Sequence, residues 1–304
     1  MKIKLTIDVF SGRPNPTLTL DGRDAKKILD QVSLKSGFKK NSDKTAPEPF
    51  GLGYRGVIIE QLDAAASDMP KIMRVTPDRA YGDNSSATAT DNEFEKIIFD
   101  LITQFKDTGS KKEFRTLLED QVKTFRAERK DLLLKWPIDI IKWPVLNPCS
   151  CAPDADIAWW NDGGQRQFNN NCYNYASNYR TDTFAQPGKA AGLQYTSLSG
   201  CAVAAGQRSA KDGAVADCLI DTPAANNVCP GKGHLVALVV APGYDFHWYR
   251  KGPDGKWSHK PGGTQATLVD NSGNPIADPR TANRGPYTQF CTFMQVLHGH
   301  IKIK

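Results

Sequence analysis

Cysteine and histidine are confined to the second part of this 304-residue chain, and that break limits how the chain can be organised. All seven cysteines and all five histidines lie between Cys149 and His300, whereas the preceding part is denser in charged residues. A chain of this length usually exceeds what one compact core needs. We therefore predict two domains, an accessory domain at 1–142 and a domain carrying ionisable chemistry at 143–304.

Hydrophobic patterning predicts a small α+β fold for the first domain, to which we assign a positioning or recognition role. We expect strands at 1–10, 54–62 and 72–75, a loop at 34–50, and helices at 21–32, 91–105 and 111–134. The pairs Trp136-Pro137 and Trp143-Pro144 interrupt helix formation, because proline lacks the backbone N–H that a helix interior requires. They mark the linker between the two domains.

The second domain is also predicted to be α+β, with a helix that precedes an antiparallel sheet. Its expected elements are a helix that begins at Cys172, a short helix at 202–210, and strands at 234–241, 246–251, 256–260, 267–270 and 290–296. The unbroken apolar run after His234 is typical of a central strand that is buried on both faces.

Cys172 is the candidate nucleophile of this domain. Three consecutive asparagines, at 169–171, precede it, and a helical segment follows it. At a helix N-terminus the exposed N–H groups and the helix dipole favour a thiolate over a thiol. The alternative is a buried, unreactive cysteine.

His234 is the candidate base, because a strand end can be reached from a neighbouring helix tip. His247 lies in the next strand and is expected to orient His234 if the two strands pair and bring both imidazoles to one sheet edge. His259, Asp245 and Asp270 compete for that orienting role. Either histidine could equally be a structural residue.

Candidate substrate-binding residues come from the amides and aromatic groups near these positions. Gln165 or Gln167 could stabilise an oxyanion together with the backbone N–H of Cys172. Trp248 and Trp257 could contact the substrate. Alternatively, the four residues Trp248, Tyr249, Trp257 and Tyr287 would form a recognition surface without catalysis, or would simply pack in the core.

The second domain resembles the papain-like cysteine amidases and peptidases of the NlpC/P60 and CHAP kind. The segment from Cys172 to Ala176, with Arg180 beyond it, is similar to the helix start that carries the nucleophile in CHAP domains. The segment 233–239 is similar to their strand with the basic histidine, and His247 matches a third polar residue one strand later. The resemblance implies a papain-like fold and a Cys-His-His site that acts on an amide bond.

We therefore expect a cysteine-dependent hydrolase or acyl-transferase with a peptide or peptidoglycan-like substrate and no cofactor. The alternative is a non-catalytic binding or effector module. We predict no metal site, because the spacings in Cys149-Ser150-Cys151 and His298-Gly299-His300 are not those of common zinc sites.

Several partners and locations are limited by composition. The net charge of +6 is thinly spread, which does not favour nucleic-acid binding, and no apolar run is long enough to cross a membrane. The alternating N-terminus is not typical of a signal peptide, so we expect a cytoplasmic protein or leaderless export. Three disulfides with one free thiol and seven reduced cysteines are both compatible with the sequence.

Overall fold

The computed structural model describes residues 1–33, 38–40, 48–63, 69–82, 85–88, 93–134, 148–222 and 227–304. The fold is α+β, as predicted, with two antiparallel sheets. None of the helices in these ranges combines the length and apolar character needed to cross a bilayer. The predicted tryptophan–proline linker and the boundary between residues 142 and 143 lie outside the described residues.

The chain forms two compact units, and two short N-terminal segments belong to the second. The first unit contains Met1–Val9, Asn15–Pro49 and Tyr54–Pro137, and the second contains Phe10–Pro14, Phe50–Gly53 and Ile138–Lys304. We call Phe10–Pro14 the Ser11 loop. It lies within the sequence stretch 8–16.

In the residues that the structure describes, the first unit contains a seven-stranded sheet and three α-helices. The strands are β1 Lys2–Ile7, β2 Thr17–Asp21, β3 Lys39–Lys40, β4 Val57–Gln61, β5 Ile72–Val75, β6 Arg79–Gly82 and β7 Ser85–Thr88, and the helices are α1 Gly22–Ser33, α2 Glu93–Leu101 and α3 Lys111–Leu134. The strand order is β2-β1-β4-β5-β6-β7-β3. These elements confirm the strands near 1–10, 54–62 and 72–75 and the three helices, while residue 91, where the second helix was expected to begin, lies outside the described residues.

The two ends of the Ser11 loop are fixed within the first unit. Asp8 is buried between Arg55 and Arg74, whose side chains approach its carboxylate to 2.6 and 2.5 Å. Burial alone would raise the pKa of this carboxyl group, but the two guanidinium groups lower it to about 2. Asn15 donates to Asp8 at 2.9 Å and accepts a hydrogen bond from Val9 N at 3.0 Å.

The second unit contains a five-stranded antiparallel sheet and four helices. Its elements are α4 Ile157–Trp160, α5 Gln165–Asn169, α6 Cys172–Ser177, α7 Ala210–Ala216, β8 Ile220–Thr222, β9 His234–Ala241, β10 Asp245–Lys251, β11 Trp257–His259 and β12 Gln289–Val296. The strand order is β11-β10-β9-β12-β8. Strand β9 is buried along its whole length, as its apolar run predicts.

Two predictions for the second unit were wrong. A helix begins at Ala210 rather than spanning 202–210, because Ser209 caps it and forms a reciprocal capping box with Asp212. Residues 267–270 form no strand; Thr267 and Val269 make isolated bridges to His259 and Pro275 instead. The fifth strand of the sheet is β8, whose three residues are too few to produce a recognisable alternation.

Candidate active site

Cys172 is the first residue of helix α6, as the sequence predicts. The side chain of Asn171 accepts hydrogen bonds from Tyr173 N at 3.0 Å and Asn174 N at 3.1 Å. The Asn174 side chain in turn accepts from Asn171 N at 3.2 Å. This reciprocal pair fixes where the helix begins and therefore fixes the backbone position of Cys172.

The thiol of Cys172 is fully buried, which reverses the expected direction of its pKa shift. Burial raises the pKa of Cys172 well above its usual value, and the charge of Asp245 raises it further. Hydrogen bonds from Trp248 N–H and Ser11 and the charge of Lys260 act in the opposite direction but do not compensate. In this conformation the sulfur is a thiol, because desolvation of the thiolate outweighs the effect of the helix terminus.

The Ser11 loop is bound by the carboxylate of Asp245. Asp245 Oδ2 accepts from Ser11 N at 2.6 Å and from Gly12 N at 3.1 Å, and Oδ1 accepts from Arg13 N at 3.0 Å. Burial raises the pKa of the Asp245 carboxyl group, although these N–H groups and the hydroxyl of Tyr287 partly offset the increase. Three consecutive backbone donors on one side chain hold the loop in a single position.

A chain of side-chain contacts leads from Ser11 to two histidines. A hydrogen bond from Ser11 acts to lower the pKa of Cys172, and the Ser11 hydroxyl lies 3.0 Å from His247 Nδ1. His247 Nε2 lies 2.9 Å from His259 Nδ1, and His259 Nε2 lies 3.0 Å from the carbonyl oxygen of Val269. All three polar residues are buried. Ser11, His247 and His259 therefore form a continuous buried polar chain.

The Val269 carbonyl determines the direction of this chain when both imidazoles are neutral. A carbonyl oxygen only accepts, so His259 Nε2 must carry the proton and His259 Nδ1 must accept from His247 Nε2–H. The unprotonated nitrogen of His247 is then Nδ1, the atom that faces Ser11. His247 Nδ1 is thus a hydrogen-bond acceptor, and its tautomer is fixed by His259, one of the residues that the sequence offered for an orienting role.

His234 lies elsewhere in the sheet. Strands β9 and β10 pair antiparallel as expected, but His247 is opposite Val239, five residues beyond His234. Five residues of a strand span roughly 17 Å, so the two imidazoles do not meet at one sheet edge. His234 Nε2 donates to Ala176 O at 2.7 Å, and its ring lies 5.1 Å from that of His298. Burial lowers the pKa of His234 to about 3.

The predicted substrate-binding residues have other environments. Gln167 is buried and its side chain accepts from Gly163 N at 3.3 Å, while Gln165 is exposed on the same helix. Trp248 is buried against Tyr173, and Trp257 is buried against Phe293. Tyr249 and Tyr287 are also buried, so these four aromatic residues pack in the core and do not form a surface.

Lys260 is a buried cation beside this cluster. Its ammonium group donates to the carbonyl oxygens of Gln167 and Asn170 at 2.6 Å each and of Gly262 at 2.7 Å. It therefore ties helix α5 to the segment after β11, and its charge favours the thiolate form of Cys172. Three carbonyl acceptors satisfy the three donors of an ammonium group.

Sequence reasoning assigned no role to Ser11 or Lys260, and it placed Tyr287 only in the alternative recognition surface. A glycine and two prolines follow Ser11 within five residues, and the histidine–lysine pair at 259–260 follows a tryptophan on a predicted strand. These were the available signals. Neither indicates contact with Cys172, because the contacts join residues far apart in the chain.

The cysteines form two disulfides, Cys149–Cys229 and Cys201–Cys291. Within the described residues the free thiols are those of Cys151, Cys172 and Cys218. Neither of the two arrangements that the sequence left open is present. Cys149, Cys151 and Cys229 also form a group whose sulfurs are close enough to hold one metal ion.

A comparison with curated proteins found a shell matrix protein that is similar to this chain. The chain is 47% identical over 138 residues to the insoluble matrix shell protein 1 of Ruditapes philippinarum. The matched region covers 45% of this chain and 85% of the relative. No protein-family model matches the chain. The search of solved structures also gave no match.

Proposed function

This chain belongs to the family of the insoluble matrix shell protein 1, and from the chemistry of its second unit we propose that it is a cysteine-dependent hydrolase or acyl-transferase. Its substrate is an amide bond in a peptide or peptidoglycan-like stem, as in the papain-like enzymes that its motifs resemble. The observation that carries the proposal is the Ser11 hydroxyl, which lies 3.0 Å from His247 Nδ1 and belongs to a residue that acts to lower the pKa of Cys172.

In this proposal His247 is the base, a role first given to His234, and His259 is its orienting partner. His247 Nδ1 takes the thiol proton, and the Cys172 sulfur attacks the carbonyl carbon of the amide. The protonated imidazole then gives its proton to the leaving amine. Water or a second amine releases the acyl group, and His247 again removes the proton of the attacking molecule.

In this proposal the described conformation is a resting state, in which the Ser11 hydroxyl lies beside His247 Nδ1. The Cys172 sulfur is buried and its pKa is raised. Movement of the Ser11 loop would admit the substrate carbonyl and allow direct contact between Cys172 and His247. The lost hydrogen bonds to Asp245 oppose this movement, so substrate binding must compensate for them.

The test is acylation of Cys172 by peptide thioesters and activated amides, followed by intact-mass and peptide mapping. We expect an acyl adduct on Cys172 and amine release that is lost in Cys172→Ser and reduced at least a hundredfold in His247→Ala. His234→Gln serves as the matched histidine control and should keep the activity. If no adduct forms on Cys172, or His247→Ala acylates at the wild-type rate, the proposal fails.

A second candidate is a non-catalytic component of an insoluble matrix. The name of the relative favours it, and so does the burial of the Cys172 cluster. A matrix component should assemble into sedimenting material equally in the wild type and in Cys172→Ser. Sedimentation of both proteins to the same extent, without any acylation of Cys172, would favour this candidate over the enzyme.

A further inference from the structure

The sulfurs of three other cysteines lie close together, in a group that does not include Cys172. The sulfur of Cys151 lies 3.7 Å from that of Cys149 and 3.5 Å from that of Cys229. Cys149 and Cys229 are joined as a disulfide, and Cys151 is a free thiol. The approach of Cys229 is not visible in the sequence, because it lies 78 residues after Cys151.

Backbone hydrogen bonds, in addition to the disulfide, hold these residues in place. Ala152 N donates to Cys149 O at 2.8 Å, which closes a turn around Cys151. Cys149 N donates to the carbonyl oxygen of Pro253 at 2.9 Å, which anchors that turn to the hairpin after β10. Cys149 is buried and Cys151 is partly exposed, so the group has one face open to solvent.

The separations from Cys151 match those of thiolates around one tetrahedral ion. Zinc–sulfur bonds of about 2.3 Å place adjacent tetrahedral sulfurs about 3.8 Å apart. The two contacts made by Cys151 are already close to that length. The group formed by the described residues has three members, which leaves the fourth tetrahedral position for water.

We infer that, when the Cys149–Cys229 disulfide is reduced, Cys149, Cys151 and Cys229 bind one divalent ion of the zinc class. A dithiol reductant supplies two electrons and two protons, becomes a disulfide, and leaves thiols on Cys149 and Cys229. The three thiols then lose three protons as their sulfurs bond to the ion. The same three cysteines thus have two exclusive states, a disulfide with one free thiol and a metal–thiolate site. This inference does not depend on the function proposed for Cys172.

Cobalt titration tests the site directly. The purified chain is reduced, freed of reductant without air, and titrated with Co²⁺. We expect one equivalent to bind with a thiolate-to-cobalt charge-transfer band that Zn²⁺ abolishes, and we expect no such band in the oxidised protein. Cys151→Ser should weaken binding at least tenfold, whereas Cys218→Ser, which removes an exposed free thiol outside the group, should bind like the wild type. Absence of the band in the reduced wild type, or equal binding by Cys151→Ser, overturns the inference.

Alkylation mapping covers the case in which reduction unfolds the chain. Reduction is then carried out with Zn²⁺ present, and the thiols are treated with N-ethylmaleimide. We expect Zn²⁺ to slow modification of Cys149, Cys151 and Cys229 at least tenfold while Cys218 reacts unchanged. The double variant Cys201→Ser/Cys291→Ser should show the same protection, because it removes the other reducible pair. Equal modification of all cysteines with and without Zn²⁺ overturns the inference.

Discussion

The Nδ1 atom of His247 lies 3.0 Å from the hydroxyl oxygen of Ser11, a residue 236 positions earlier in the chain. The same hydroxyl lies 2.8 Å from the Tyr287 hydroxyl and 3.2 Å from the carbonyl oxygen of Phe246. Ser11 is one of the five residues Phe10–Pro14 that belong to the second unit. Because Ser11 also acts on the pKa of Cys172, changes in the Ser11 loop should alter both stability and thiol reactivity.

Ser11→Ala removes a buried hydroxyl at the centre of this network. We expect the free energy of unfolding to fall by about 1–3 kcal/mol, because several buried polar groups lose one hydrogen bond at once. Urea unfolding of the purified protein measures the change. Ser199→Ala is the matched control, since Ser199 is exposed and its substitution should change stability by less than about 0.5 kcal/mol. Equal effects of the two substitutions would contradict the structural role of Ser11.

Gly12→Ala should displace the Ser11 loop without removing a polar group. A methyl group at this position would lie 2.4 Å from a ring carbon of Phe246, closer than atoms can approach. We expect a loss of about 1–3 kcal/mol in stability and faster iodoacetamide modification of Cys172 relative to the exposed Cys218. Gly164→Ala is the control, because its added methyl group would meet no atom closer than 3.7 Å. If modification of Cys172 is unchanged in Gly12→Ala, the loop does not shield the thiol.

Lys260→Met tests the buried cation. The substitution keeps an unbranched side chain but leaves the carbonyl oxygens of Gln167, Asn170 and Gly262 without their ammonium donor. We expect the free energy of unfolding to be at least about 3 kcal/mol lower than that of the wild type, because hydrogen bonds to a charged group are stronger than those between neutral groups. Lys256→Met, a partly exposed lysine of the same hairpin, should cost less than about 1 kcal/mol. Thermal or urea unfolding that ranks the two variants equally would refute the role of Lys260.

Regular elements with strong local signals could be predicted from the sequence. The apolar run of β9, the turn after it, and the asparagine before Cys172 each act within a few residues, so their structures follow from local chemistry. Residues 267–270 show where this reasoning stops. They alternate like a strand, yet Val269 bridges Pro275 across a turn and forms no extended ladder. Alternation alone does not provide a partner strand.

The site was only partly predictable because its contacts are long-range. Cys172 and His247 were identified from their local patterns, but the pairing register decides which histidine can approach the thiol. His247 lies on β10 opposite Val239, whereas His234 is the first residue of β9, five positions away. The sequence alone does not specify this register. Ser11 carries no local signal for contact with β10, because nothing in its neighbours encodes a partner 236 residues away.

His234 should make the stability of the fold depend on pH. A histidine in the unfolded chain has a pKa near 6.5, whereas in the fold burial, together with smaller effects of Arg250 and His298, lowers the pKa of His234 to about 3. At a pH between these two pKa values, the unfolded state therefore binds a proton at His234 that the folded state does not bind. The stability that neutral His234 contributes is fully present above about pH 6.5 and is lost as pH falls towards 3, by up to about 1.4 kcal/mol per pH unit.

His234→Gln isolates this effect, because an amide can still donate to Ala176 O but does not titrate in this range. Urea unfolding at about pH 7 and about pH 4.5 should show the wild type losing about 2–3 kcal/mol more than the variant on acidification. His300→Gln, which removes an exposed imidazole, should follow the wild type. Identical acid sensitivity of His234→Gln and the wild type would mean that His234 can be protonated in the folded protein without penalty.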